Sequence, residues 1–218
     1  MKYVSLGRHC DVAFNIKKYN TNSPSFFFDW ARIDFKCCLY ILKLNNIETF
    51  LNKENIIVDK QMFSAEKEIC FKFKNFDENN NILYFHHEND VEQYDATDVE
   101  LDCMIDKFIN KYTKRFIKMV NLICSEEEII FIYRDTDNIF KETYVNEFID
   151  CIFKINKNVV FSLIILTEDN DDFLYIKKKN YLKINISKFK NYDLVEYDDW
   201  KTQKYDWVKI FNIITNNK

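Results

Sequence analysis

Cys10 follows the chain's single glycine, Gly7, by three residues, with Arg8 and His9 between them. A thiol near a helix N-terminus feels the positive end of the dipole, and neighbouring cations favour thiolate over thiol, so these residue types in this order suit a nucleophile. The glycine allows a left-handed or otherwise closed turn and leaves backbone N–H groups open to an anion or oxyanion. The alternative is a small buried cysteine after an ordinary strand-to-helix turn. A cysteine nucleophile commonly needs a base. His86 and His87 supply two adjacent imidazoles, with Glu88 or Asp29 as a carboxylate to orient the ring, unless both are simply loop histidines in a partly exposed turn. At a strand end, one of the pair faces the site and the other faces away. Arg134 closes the most apolar segment of the chain, where an unpaired buried cation is costly. It is either salt-bridged to a neighbour such as Asp135 or Asp137, or it grips an anionic group of a ligand.

The elements that must position these residues are legible from periodicity. Residues 3–6 read as a short strand running into the glycine turn, after which Val12, Ala13 and Ile16 keep helical spacing, with Asp11 in the first turn. Residues 20–25 form a polar loop leading into the aromatic run 26–30, which reads as core and contains Asp29. A helix is expected over 35–44, and short strands at 56–58 and 69–73. From residue 82 the pattern alternates regularly: a strand at 82–85, a long helix traced by Leu101, Ile105, Phe108, Tyr112, Phe116 and Ile123, and a strand at 129–133. A helix around 144–152, an apolar run at 159–166, a strand at 181–186 and a terminal helix from Trp207 follow. Strands apolar along their whole length, separated by helices, indicate a parallel sheet covered on both faces. The expectation is a single α/β domain over residues 1–218. Its mostly parallel, doubly wound sheet makes three layers (α/β/α), with a less regular α+β insertion around residues 45–80. Ligands of such sheets bind beyond the carboxyl ends of the strands, so residues 7–10, 86–88, 134–135 and 168–169 are expected to face one edge.

Composition narrows the classes. The chain has 218 residues, 47% apolar, with one glycine and one proline, which excludes collagen-like and disordered chains and supplies ample material for one core. A net charge of −4 gives no global basic field, so no nucleic-acid partner is expected. Lysine greatly outnumbers the four arginines, a skew that reflects AT-rich coding, so an arginine marks a position that needs the planar fork. The seven cysteines are odd in number, contain no Cys-x-x-Cys pair and follow no signal-peptide pattern. Free thiols in a reducing, cytoplasmic compartment are therefore expected, with no metal and no cofactor. No run approaches the roughly 18 apolar residues of a membrane span.

The quoted motifs resemble a known family. Val4-Ser5-Leu6-Gly7-Arg8-His9-Cys10-Asp11-Val12-Ala13, then Phe28-Asp29-Trp30, is similar to the opening of a family described as papain-like cysteine peptidases, whose pattern is Ser-Leu-Gly-x-x-Cys-x-x-Ala followed by Pro-Phe-Asp-Trp. Phe85-His86-His87-Glu88, Lys111 to Phe116 and the strand ending in Arg134 resemble its later motifs, in matching order over residues 3–134. His9 stands where the family often has Asn, and Phe27 where it has Pro. The resemblance implies Cys10 as nucleophile, His87 or His86 as base, Asp29 as the carboxylate of the second motif, and a peptide substrate. A strand-Gly-x-x-Cys-helix opening on a parallel sheet also looks like the Gly-Asp-Ser esterase fold and like polysaccharide acyltransferases, which implies an acyl-bearing substrate. The function expected is thus a cysteine hydrolase or acyltransferase, with the oxyanion held by N–H groups after Gly7. The competing expectation is a non-catalytic module that clamps an anion with Arg8 and Arg134. Gly7→Ala is expected to remove function and leave most of the fold.

Overall fold

The computed structural model describes residues 1–44, 46–63, 66–74, 83–86, 97–136, 140–168, 173–190 and 204–217. Strands β1 (Lys2–Ser5), β6 (Ile129–Asp135), β7 (Phe161–Thr167) and β9 (Tyr181–Asn185) form a parallel sheet in the order β1-β6-β7-β9, with β8 (Tyr175–Lys178) antiparallel at the outer edge. All seven residues of β6 are buried. Ile130 and Ile132 face one apolar cluster, shared with helices α1 (Cys10–Tyr19) and α5 (Trp207–Asn217). Ile129, Phe131 and Tyr133 face the other, shared with α2 (Phe35–Leu42), α3 (Asp98–Ile123) and α4 (Thr143–Ile155). Period-two alternation within an unbroken apolar strand thus buries both faces, and the sheet is doubly wound as its composition predicts.

The remaining strands form a separate antiparallel sheet, β2 (Ala31–Ile33), β5 (Leu83–His86), β4 (Glu66–Phe73) and β3 (Ile56–Phe63), in that order. It contains the segment expected as a less regular insertion. It also corrects one expectation: β5 does not join the parallel sheet, so His86 is not at a carboxyl end of that sheet. A four-residue apolar strand carries no signal of its direction, and the pairing of β5 with β2 and β4 is set by partners far away in sequence. The aromatic run reads correctly as core, with Phe26, Phe27 and Phe28 all buried, and Phe27 meets Phe85, Tyr112 and Phe116 edge-on. The long helix α3 starts where a capping box places it: Thr97 accepts from the Glu100 N–H, and Glu100 accepts from the Thr97 N–H at 2.7 Å. Among the described residues no helix is long and apolar enough to cross a membrane.

Candidate active site

The β1–β6 ladder ends at Leu6, whose N–H donates to the Ile132 carbonyl at 2.8 Å. Beyond it the backbone leaves the sheet through two successive left-handed residues, Gly7 at φ +82° and Arg8 at φ +70°. A Cβ on Gly7 would lie well inside van der Waals contact of the Ile33 side chain and 3.0 Å from the Ala31 carbonyl oxygen. Glycine is therefore required here for both conformation and space. Arg8 takes the strained conformation without that excuse and is held in it: its side chain is 2% exposed and ion-paired to Asp34. His9, extended, is the N-cap of α1, and Cys10 is the first residue of the helix.

This turn separates Cys10 from the other cysteines. Cys37, Cys38, Cys70 and Cys151 are buried and Cys103 and Cys124 are exposed, whereas Cys10 is half-buried at a helix N-terminus. Burial pushes the Cys37 thiol up to about 12 and Cys38 well above its ordinary range, so these are packing residues. Cys38 donates to the Leu6 carbonyl at 3.2 Å and ties α2 to the end of β1.

The imidazole of His9 does not cap the helix. Its Nε2 lies 2.9 Å from Thr136 Oγ1, just past the end of β6. Burial, with the charges of Arg134, Arg8 and Arg32, pushes its pKa down to about 3, so His9 is neutral across the physiological range. Asp11, in the first turn, is ion-paired to Arg134. Burial raises the Asp11 carboxyl, and the Arg134 guanidinium opposes the rise. Arg134 also donates to Glu168 at 2.7 Å and to the Tyr205 hydroxyl at 3.4 Å, and its guanidinium lies 5.0 Å from the Tyr205 ring centroid. The carboxylates holding Arg134 are thus Asp11 and Glu168. Asp135 points to the opposite face and accepts the Phe140 N–H at 3.0 Å, and Asp137 lies outside the described residues. Glu168 was placed at the edge by its strand end; Asp34, Thr136 and Tyr205 carried no signal beyond being polar residues in unassigned segments.

Asp29 is buried in the turn that presses against Gly7. Its carboxylate accepts the Phe26 N–H at 3.1 Å, and its own N–H donates to the Phe26 carbonyl at 3.3 Å. The turn so closed aims the Phe28 carbonyl at Gly7, 3.3 Å from where a Cβ would stand. Burial raises the Asp29 carboxyl to about 6, against the pull of the Phe26 N–H and the charges of Lys17, Arg115 and Lys118. The two N-terminal motifs therefore meet, backbone against backbone. The strand of His86 approaches the same place: Phe85 pairs with Ala31, the residue whose carbonyl abuts Gly7, and His86 is the next residue and the last of β5. His87, Glu88 and Asp169 lie outside the described residues, and of His86 the backbone alone is described. Among the described residues no three His, Cys, Asp or Glu side chains are grouped to hold a metal ion.

Fold and turn together define a class: a three-layer α/β protein whose first strand passes through a left-handed Gly-x-x-Cys turn and delivers a cysteine to a helix N-terminus. The chain belongs to the family described as "Putative papain-like cysteine peptidase", whose model matches residues 1–171. It is also similar to an uncharacterized protein of Acanthamoeba polyphaga mimivirus, 25% identical over 228 residues and covering 95% of this chain and 96% of that protein. No solved structure matches.

Proposed function

We propose that the protein is a cysteine-dependent hydrolase of the papain-like type, acting on a peptide through an acyl-enzyme on Cys10. The observation that carries this reading is the consecutive left-handed pair Gly7 and Arg8, a strained strand-to-helix turn that places Cys10 first in α1. Strain of that kind persists where the surroundings over-determine it and clusters at sites that use it, as in the nucleophile elbow of hydrolases. In the proposed reaction a histidine of the 86/87 pair removes the Cys10 proton, and the thiolate attacks the carbonyl carbon to form the C–S bond. N–H groups after Gly7 hold the oxyanion. The leaving amine takes the proton from the imidazolium as its bond to carbon breaks, and water then hydrolyses the thioester. The family resemblance implies a cysteine on a helix with an antiparallel sheet beside it. The pairing of β5 with β2 supports this, because it brings the strand of His86 to the turn packed on Gly7.

The parallel sheet favours a second substrate for the same chemistry, an acyl ester or activated acyl donor, since Cys10 stands at the carboxyl edge of β1. The anion-clamp reading has less support, because Arg8 and Arg134 are each already held by a carboxylate. The test is a nitrophenyl ester, which both acyl readings accept. A burst of one equivalent of nitrophenolate with the acyl group on Cys10 is expected. Acylation at Cys10 no faster than at the exposed Cys103 and Cys124 would overturn the reading.

A further inference from the structure

The residues on either side of Cys10 are both tied to the same strand end. His9 Nε2 meets Thr136 Oγ1 at 2.9 Å, and the Asp11 carboxylate is ion-paired to Arg134. Arg134 lies next to the last residue of β6 and Thr136 just past it, and since both reach the start of α1 they lie on one side of the sheet. It is the side where Ile130 and Ile132 pack with Val12 and Ile16 of α1. Beyond Leu6 the main chain of β1 has left β6 through the left-handed turn. Across that gap the two side-chain links join the start of α1 to the sheet.

Arg134 is itself fixed. Its second terminal nitrogen donates to Glu168, next to the end of β7, and its guanidinium lies over the ring of Tyr205. A planar fork engaged in this way has little freedom to swing toward a ligand, and lysine, a single point of charge, would not reproduce it.

We propose that Arg134 and Thr136 form a two-point clamp that positions Cys10 for attack through its neighbours Asp11 and His9, without contact to substrate. The inference rests on the reading of Cys10 as the nucleophile. Arg134 and Thr136 are then positioning residues, and the arginine near the end of β6 serves the nucleophile by holding the residue after it.

The experiment alkylates the full-length protein at neutral pH with neutral iodoacetamide and, separately, with anionic iodoacetate. Modification of Cys10 is followed by peptide mass spectrometry, with Cys103 and Cys124 as internal references. Arg134→Met is expected to slow Cys10 by at least about tenfold with both reagents equally, the order of effect that loss of positioning has on a reacting group. The two exposed cysteines are expected to keep their rates. In an Asp11→Asn background, where the link is already broken, adding Arg134→Met should cost less than about twofold, as expected for two residues acting through one contact. Thr136→Val, nearly the same shape, tests the other point should Arg134→Met not fold: it is expected to slow Cys10, and Thr136→Ser to restore it. Preferential loss of iodoacetate reactivity in Arg134→Met, undiminished in the Asp11→Asn background, would show that the arginine meets the anion itself and would overturn the clamp. Unchanged Cys10 rates in both Arg134→Met and Thr136→Val would also overturn it. A wild-type Cys10 no faster than Cys103 and Cys124 would instead count against the nucleophile.

Discussion

At Gly7 the backbone is left-handed and the space for a side chain is already filled by Ile33 and by the carbonyls of Ala31 and Phe28. The sequence suggests that Gly7→Ala costs function and spares the fold; the packing at Gly7 adds a cost to the fold. A non-glycine residue in the left-handed region loses about 1–2 kcal/mol, and forcing a methyl group against backbone and a branched side chain adds about 1–3 kcal/mol. Chemical denaturation of Gly7→Ala should therefore show a loss of roughly 2–5 kcal/mol. An unchanged midpoint would mean that the turn can open. Cys10 and Gly7 were legible as a pair because a chain with one glycine announces where it needs one. Thr136, Tyr205 and Asp34 were not legible, because their importance lies in what they touch across 26 to 127 residues of sequence.

At the scale of elements, apolar runs revealed the buried strands well. β6 and β7 are hydrophobic on both faces and needed no partner to be recognised. β2 was hidden because three residues cannot show a period, and β8 because all four of its residues are exposed at the sheet edge. The direction of β5 was hidden because pairing is a property of two segments. The turn between α1 and β2 offers a test of how that junction is held. Asp29 titrates near 6 in the fold against about 4 in an unfolded chain, so between these values the native state binds more protons than the unfolded one. Stability attributable to this group is therefore present at low pH and falls as pH rises through the window, by about 3 kcal/mol in all. Asp29→Asn keeps an oxygen for the Phe26 N–H and removes the titration. Unfolding free energies measured between pH 4 and 7 should show wild type losing ground steadily to Asp29→Asn. A difference that stays flat, or moves the other way, would place the carboxylate in a less buried or better paired setting.

Across the whole molecule, the site is assembled from both ends of the chain. The family match stops at residue 171, yet Tyr205 lies against Arg134, and Phe211 of α5 stacks on Tyr19 of α1 at 4.3 Å between ring centroids. The helix that begins with Cys10 is therefore covered by residues outside the matched region. The other half of the proposed chemistry comes from a different sheet, where β5 delivers His86 beside the turn packed on Gly7. The central claim is that these two sheets bring a base to a nucleophile. It is tested most directly by the rate at which iodoacetamide modifies Cys10 in the wild type and in His86→Ala and His87→Ala. One of the two variants should fall by about 10²-fold or more, the lower range of what a positioned base contributes, while the other stays near wild type. If Cys10 reacts at the wild-type rate in both variants, no histidine of this pair serves it, and the account of the site as a cysteine–histidine hydrolase is contradicted.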